Sequence, residues 1–248
     1  MTCDAPVSVP AARLSDDRRG VFVTFEGGEG AGKSTHVAIL AAALRAQGRE
    51  VACLREPGGT SIGEQLRAVV LDRANDGMAP LCELFVYEAA RAQIVREKIA
   101  PALVRGAVVL CDRFCDSTLA YQAYGRGIDE AVVRRANELA CQGIAPDRTV
   151  VLEASSAASG LKRAAHVAAA DRLEQEGEAF HARVRAAFRA LAAAEPARMR
   201  AVASCGSIEE TALRVFAELA DLFPGLSAEA IAQAARAEQA VRTEGAVL

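Results

Sequence analysis

Residues 25–35 read FEGGEGAGKST and follow the apolar run Val21-Phe22-Val23. The spacing Gly27-x-x-x-x-Gly32-Lys33-Ser34 matches the phosphate-binding loop pattern without a mismatch. Gly27, Gly28, Gly30 and Gly32 let backbone N–H groups turn inward as a nest for phosphate oxygens, with Glu29 and Ala31 between them. A helix expected from Thr35 adds the partial positive charge of its N-terminus. Lys33 is then placed to reach the β- and γ-phosphates, and the Ser34 hydroxyl to ligate Mg²⁺. An ordinary strand-to-helix turn can contain the same letters. The apolar strand before this loop and the helical composition after it favour a nucleoside triphosphate site. A carboxylate near the metal is also needed, and Asp112 closes the apolar run AVVLCDR at 107–113, where it otherwise serves as a turn cap.

Around this loop the chain has 248 residues, 52% of them hydrophobic, which is ample for a core. Aromatics make up 4% and Trp is missing, so stacking platforms for single-stranded nucleic acid are not expected. Net charge is −3, from 29 basic and 32 acidic residues without a basic block. Neither a nucleic-acid face nor a membrane-binding face is advertised, and small molecules are the expected partners. The seven cysteines are odd in number and form no Cys-x-x-Cys pair, which predicts buried free thiols in a reducing cytoplasm. Residues 1–19 lack an apolar signal region and read as a disordered leader.

Short apolar runs at 20–26, 50–54, 107–111, 149–153 and 199–203 predict five strands. Helical composition lies between them, at 35–47, 61–72, 80–104, 129–142, 172–195 and 207–222. Alternation of this kind predicts an α/β fold, a parallel sheet covered on both faces, in one domain over 20–224. Residues 225–248 are alanine-rich with Ser227 as a candidate N-cap, and read as a packing helix or a tail.

Five segments in register, FEGGEGAGKST, LREPGGT (54–60), FVYEAARAQ (85–93), DRFCDSTLAYQ (112–122) and DRLEQE (171–176), resemble bacterial thymidylate kinase. The resemblance runs from about residue 20 to 222. It implies a P-loop fold with a central five-stranded parallel sheet, transfer of the γ-phosphoryl of ATP to dTMP with Mg²⁺, and a homodimer built on the helices at 61–72, 80–104 and 129–142. It further implies that Glu29 faces the acceptor's 3′-hydroxyl, that the Glu56–Pro57 bond is cis and shapes the acceptor pocket, and that Arg113 holds the acceptor phosphate. Arg55 either approaches that phosphate or braces its loop. Tyr87 and Arg91 are four apart and share a helical face. They form either a stacking ring and a guanidinium for a pyrimidine, or a core aromatic and a solvated cation. Phe85 fits the core by spacing. Ser117, Thr118, Tyr121 and Gln122 also share a face, which by resemblance lines the nucleotide, Tyr121 lying against the 2′ carbon of the sugar.

Residues 155–172 correspond to a lid that the family closes over ATP. Here it offers Lys162, Arg163, His166 and Arg172, with Ala165 and Val167 where the family commonly has Arg. Arg163 and Arg172 join Lys33 and Arg113 as candidates to meet the charge of the transferring phosphoryl group. Three rivals remain at this point: a kinase for another nucleoside monophosphate, a regulatory P-loop ATPase, and a nucleotide-binding homologue impaired in transfer.

Overall fold

The computed structural model describes residues 20–154 and 172–245. Among these, five strands form one parallel sheet: β1 (Phe22–Gly27), β2 (Val51–Arg55), β3 (Val108–Asp112), β4 (Arg148–Ala154) and β5 (Met199–Ser204), in the order β2-β3-β1-β4-β5. Every residue of β1 is buried, because helices cover both faces and leave no polar side to the strand. Register pairs Phe25 with Asp112 and Gly27 with Leu152, so the carboxyl ends of the parallel strands β1, β3 and β4 lie along one edge and their loops gather there. Gly27 is needed there: its φ is +127° and a Cβ would meet the Leu152 carbonyl oxygen at 2.3 Å.

The helices are α1 (Lys33–Ala46), α2 (Ser61–Leu71), α3 (Pro80–Ile94), α4 (Cys115–Thr118), α5 (Glu130–Cys141), α6 (Glu178–Ala194), α7 (Ile208–Ala217) and α8 (Ala228–Gly245). Helix α3 runs on through a π turn at Val95–Ile99 to Val104, and α4 through a π segment at Leu119–Gly125. Local capping sets several starts. The Thr60 hydroxyl accepts from Gly63 N–H, and Ser207 with Glu210 makes a reciprocal capping box. On one side of the sheet Leu40, Leu44, Val215, Phe223 and Ile231 join α1, α7 and α8 into a core. Elsewhere Tyr121, Phe180, Val184 and Phe188 pack α6 onto the π segment, and Phe22, Ile94, Ile99 and Phe114 seat α3.

The expected strands agree with the observed ones to within two residues, whereas four expected features differ. The helix expected over 172–195 starts at Glu178, because Gly177 is extended and residues 172–175 turn inward, burying Arg172 and Leu173. The stretch expected helical to 222 stops at Ala217. Phe85, expected in the core, is 60% exposed on the outer face of α3. Among the described cysteines Cys111 and Cys141 are buried free thiols, but Cys53, Cys82 and Cys205 are exposed. Ser227 does cap α8, its hydroxyl accepting from Ala230 N–H at 3.2 Å, and the helix is packed rather than trailing. No helix of the described residues is long and apolar enough to cross a membrane. The expected leader at 1–19 and most of the expected lid, with Lys162, Arg163 and His166, lie outside the described residues.

Candidate active site

The glycine-rich loop joins β1 to α1 and opens onto a cleft of ≈ 630 Å³. Gly30 and Gly32 have φ of +65° and +96°, a conformation that turns successive amides to one side. Gly32 caps α1 without a side-chain bond, leaving the first-turn N–H groups of the helix to face the cleft. Lys33 folds back, its Nζ donating to the carbonyls of Gly27 (3.2 Å) and Gly28 (2.9 Å). Burial pulls its pKa down, and Arg113 adds to that. The Ser34 hydroxyl donates to Asp112 Oδ2 at 2.5 Å, joining the loop to the end of β3. Thr35 is at the cleft wall, and Ser204 Oγ donates to the Ala31 carbonyl at 2.8 Å, tying the loop to β5.

Beside this cleft lies a second space of ≈ 130 Å³. Nine of the ten residues expected around the acceptor line it: Glu29, Pro57, Tyr87, Arg91, Arg113, Ser117, Thr118, Tyr121 and Gln122. Arg55 lines the larger cleft instead and braces its own loop, bonding the Glu64 carboxylate and the Pro57 carbonyl. The Glu56–Pro57 bond is cis.

Arg113 lies at the joint of the two spaces. It follows β3 in a left-handed conformation, φ +70°, in a turn pinned by Glu26. Glu26 Oε1 accepts from the amides of Phe114 (2.7 Å) and Ser117 (3.2 Å), and Oε2 from the Ser117 hydroxyl at 2.5 Å. Burial and the charge of Asp116 push Glu26 up to about 7, despite Arg113 nearby. The Arg113 guanidinium pairs with Glu29, donates to the Gly27 carbonyl (3.2 Å) and Ser117 Oγ (3.1 Å), and stacks 5.1 Å from the Tyr121 ring centroid. Burial alone would raise Glu29, but Arg113 and Lys33 hold it at about 2, so it stays ionised. The Tyr121 hydroxyl donates to Glu29 at 3.2 Å; burial and that carboxylate raise its pKa, which keeps the proton in place.

Arg91 is neither solvated nor free to swing toward a ligand. It is 2% exposed and donates to Glu56 (2.9 Å), Glu88 (2.8 Å) and Asn137 (2.7 Å), lying 5.3 Å from the centroid of the Phe114 ring. It nevertheless borders the smaller space. Glu56 is pushed up to about 7 by burial, against the pull of Arg91. Arg172, expected at the phosphates, is elsewhere. It is buried, pairs with Glu83 and donates to the Val70 carbonyl at 3.0 Å. Glu83 also takes Arg126 and Gln122, so Arg172 belongs to an internal ion cluster behind the acceptor space.

Sequence reasoning missed Glu26, Arg67 and Glu174. Glu26 had a signal, a carboxylate closing an otherwise apolar strand. Arg67 and Glu174 line both spaces, and Arg67 donates to the Pro57 carbonyl at 2.9 Å, but nothing in α2 or in DRLEQE distinguishes them.

The family model described as thymidylate kinase matches residues 25–214. A thymidylate kinase of Trichlorobacter lovleyi is 50% identical over 184 residues, 72% of this chain and 86% of that one. Another, of Solidesulfovibrio magneticus, is 47% identical over 202 residues, 79% and 97% of the two chains. The crystal structure of thymidylate kinase from Ehrlichia chaffeensis superposes with a TM-score of 0.65 at 30% identity, covering 82% of this chain and 99% of that one. With likeness in sequence and in fold running across both spaces and the glycine-rich loop between them, the chain belongs to the thymidylate kinase family and phosphorylates dTMP to dTDP.

Proposed function

We propose that ATP occupies the larger cleft and dTMP the smaller space, with transfer across their common wall at Glu29 and Arg113. The observation that carries this reading is that these two residues line both spaces. A dTMP phosphate oxygen attacks the γ-phosphorus in line, the bond to the β-phosphate breaks, and ADP leaves. The acceptor phosphate is already ionised, so no side-chain base is required, and positioning with charge neutralisation provides most of the acceleration.

Lys33 leaves its two carbonyl partners for the β- and γ-phosphates. Arg113 offers its planar fork to the acceptor phosphate, and Arg163 is a candidate to meet the transferring group from the lid. Glu29, ionised, receives the sugar 3′-hydroxyl, and Tyr121 fills the volume a 2′-hydroxyl needs. Tyr87 stacks on the base, while Ser117, Thr118 and Gln122 complete the wall. Arg91 borders the base as a fixed charge, and Arg172 holds the wall behind it.

Ser34 and Asp112 suit Mg²⁺. Both are hard oxygen donors, 2.5 Å apart, and among the described residues no cluster of three His, Cys, Asp or Glu side chains forms a metal cage. A two-ligand site completed by phosphate oxygens is the habit of this ion, which when bound neutralises charge on the triphosphate. The exposed apolar residues Ile62, Val69, Leu81, Phe85, Val132 and Leu139 on α2, α3 and α5 support a homodimer. The six described cysteines, all free, support a cytoplasmic setting, where the product feeds dTTP synthesis for DNA replication.

The test is ADP release in a coupled assay with MgATP and, in turn, dTMP, dUMP, UMP, CMP, AMP and GMP. Turnover restricted mainly to dTMP is expected. ADP release indifferent to the acceptor would overturn the reading.

A further inference from the structure

We infer that α8 contributes a donor-binding residue, Arg242, which contacts ATP at its nucleoside end. This rests on the assignment of ATP to the larger cleft. The family model stops at residue 214, so Arg242 lies outside the part of the chain it matches.

The placement follows from helix geometry. Ile231 and Ala235 are each 1% exposed and face the core that α8 shares with α1 and α7. Arg242 comes eleven residues after Ile231, three turns on, so it falls within about 20° of the same face, about 16 Å further along the axis. The face that packs against the core therefore carries Arg242 to the mouth of the cleft, where its side chain is about half exposed. There it lines the same cleft as Lys33, Ser34 and Asp112, on the side formed by His36, Ser207 and Thr211. Acceptor-side residues such as Tyr87 and Tyr121 belong to the other space. Arg242 lines the larger cleft and not the smaller space, so the ligand within its reach is the donor, at the ribose, base and α-phosphate in this proposal.

One contact holds the arginine in place and another holds its helix. Its Nε donates to Glu238 at 2.8 Å, one turn earlier. Arg236 ties α8 to α7 through Glu209 at 2.9 Å. The loop is close by: His36, whose ring is next to Gly32, lines the same cleft as Arg242. A guanidinium beside a nucleotide cleft can bond an α-phosphate oxygen or stack on the base.

The experiment uses the full chain with Arg242→Ala, Arg242→Lys and Arg242→Glu. For Arg242→Ala the KM for ATP should rise about fivefold, the yield of a partly exposed charge-assisted contact, with kcat and the KM for dTMP within twofold of wild type. Arg242→Lys should recover part of the loss, and Arg242→Glu should exceed it. Unliganded Tm should be unchanged while the upward shift caused by ATP shrinks. If the ATP KM of both Arg242→Ala and Arg242→Glu stays within twofold of wild type, the inference is wrong. So is it if the KM for ATP and dTMP rise together with a fall in unliganded Tm, which would mark a packing role. Loss of dTMP turnover in the wild-type protein would instead strike the reading of the cleft.

Discussion

Glu26→Gln isolates one buried carboxylate. Glu26 is fully buried, and its pKa rises from an ordinary 4.5 to about 7, burial being the largest cause. Between those values the folded protein keeps a proton that the unfolded chain has released. The stability this supplies is complete below pH 4.5 and lost as pH rises through 7. At about 1.36 kcal/mol per pH unit, the interval from 4.5 to about 7 corresponds to a loss of about 3 kcal/mol. Glutamine never ionises, and its amide can keep the local bonds. The oxygen accepts from the Phe114 and Ser117 amides, and the nitrogen donates to the Ser117 hydroxyl. Glu56 titrates in a similar range but is common to both proteins, so the difference between them reports Glu26 alone. Urea unfolding at pH 5, 6, 7 and 8 should show the variant gaining about 2.5 kcal/mol on wild type across the series, with most of the change complete by pH 7. A difference constant to within about 1 kcal/mol over the whole range would refute the reasoning.

Three other outcomes follow from the same geometry. Lys33→Ala should lower kcat by about 10²–10³-fold, as loss of a preorganised cation does, while calorimetric dTMP binding stays within a few-fold; equal losses in both would mean a disturbed loop. Tyr121→Ala should improve use of the ribonucleotide analogue of dTMP relative to dTMP on the order of tenfold, whereas Tyr121→Phe, which keeps the ring, should not. Unchanged discrimination in Tyr121→Ala would remove the ring from the specificity argument. Arg172→Met should reduce unfolding free energy by about 2 kcal/mol, since Glu83 keeps Arg126 and Gln122 as partners, with kcat within about threefold. A collapse of kcat at unchanged stability would return Arg172 to the phosphoryl group.

The elements and the chemistry of the loop are legible in the order of the residues alone. Strand and helix periodicity is local, and Gly27, Gly32, Lys33 and Ser34 act at fixed spacing along one turn, so both are readable without knowing what packs nearby. The sequence also supplied nine residues that do meet around one space, because four of them share a helix face and resemblance ordered the rest. Where the long charged side chains go depends on the assembled fold. Glu26 holds a turn 88 residues away, Arg91 joins Glu56 and Asn137 from two other segments, and Arg172 reaches back 89 residues to Glu83. Arginine has several rotatable bonds and five donors, so its partner is whichever acceptor the fold leaves beside it in a dry place. That choice depends on the strand order β2-β3-β1-β4-β5 and on helices packed against it, contacts between distant segments that no local pattern encodes.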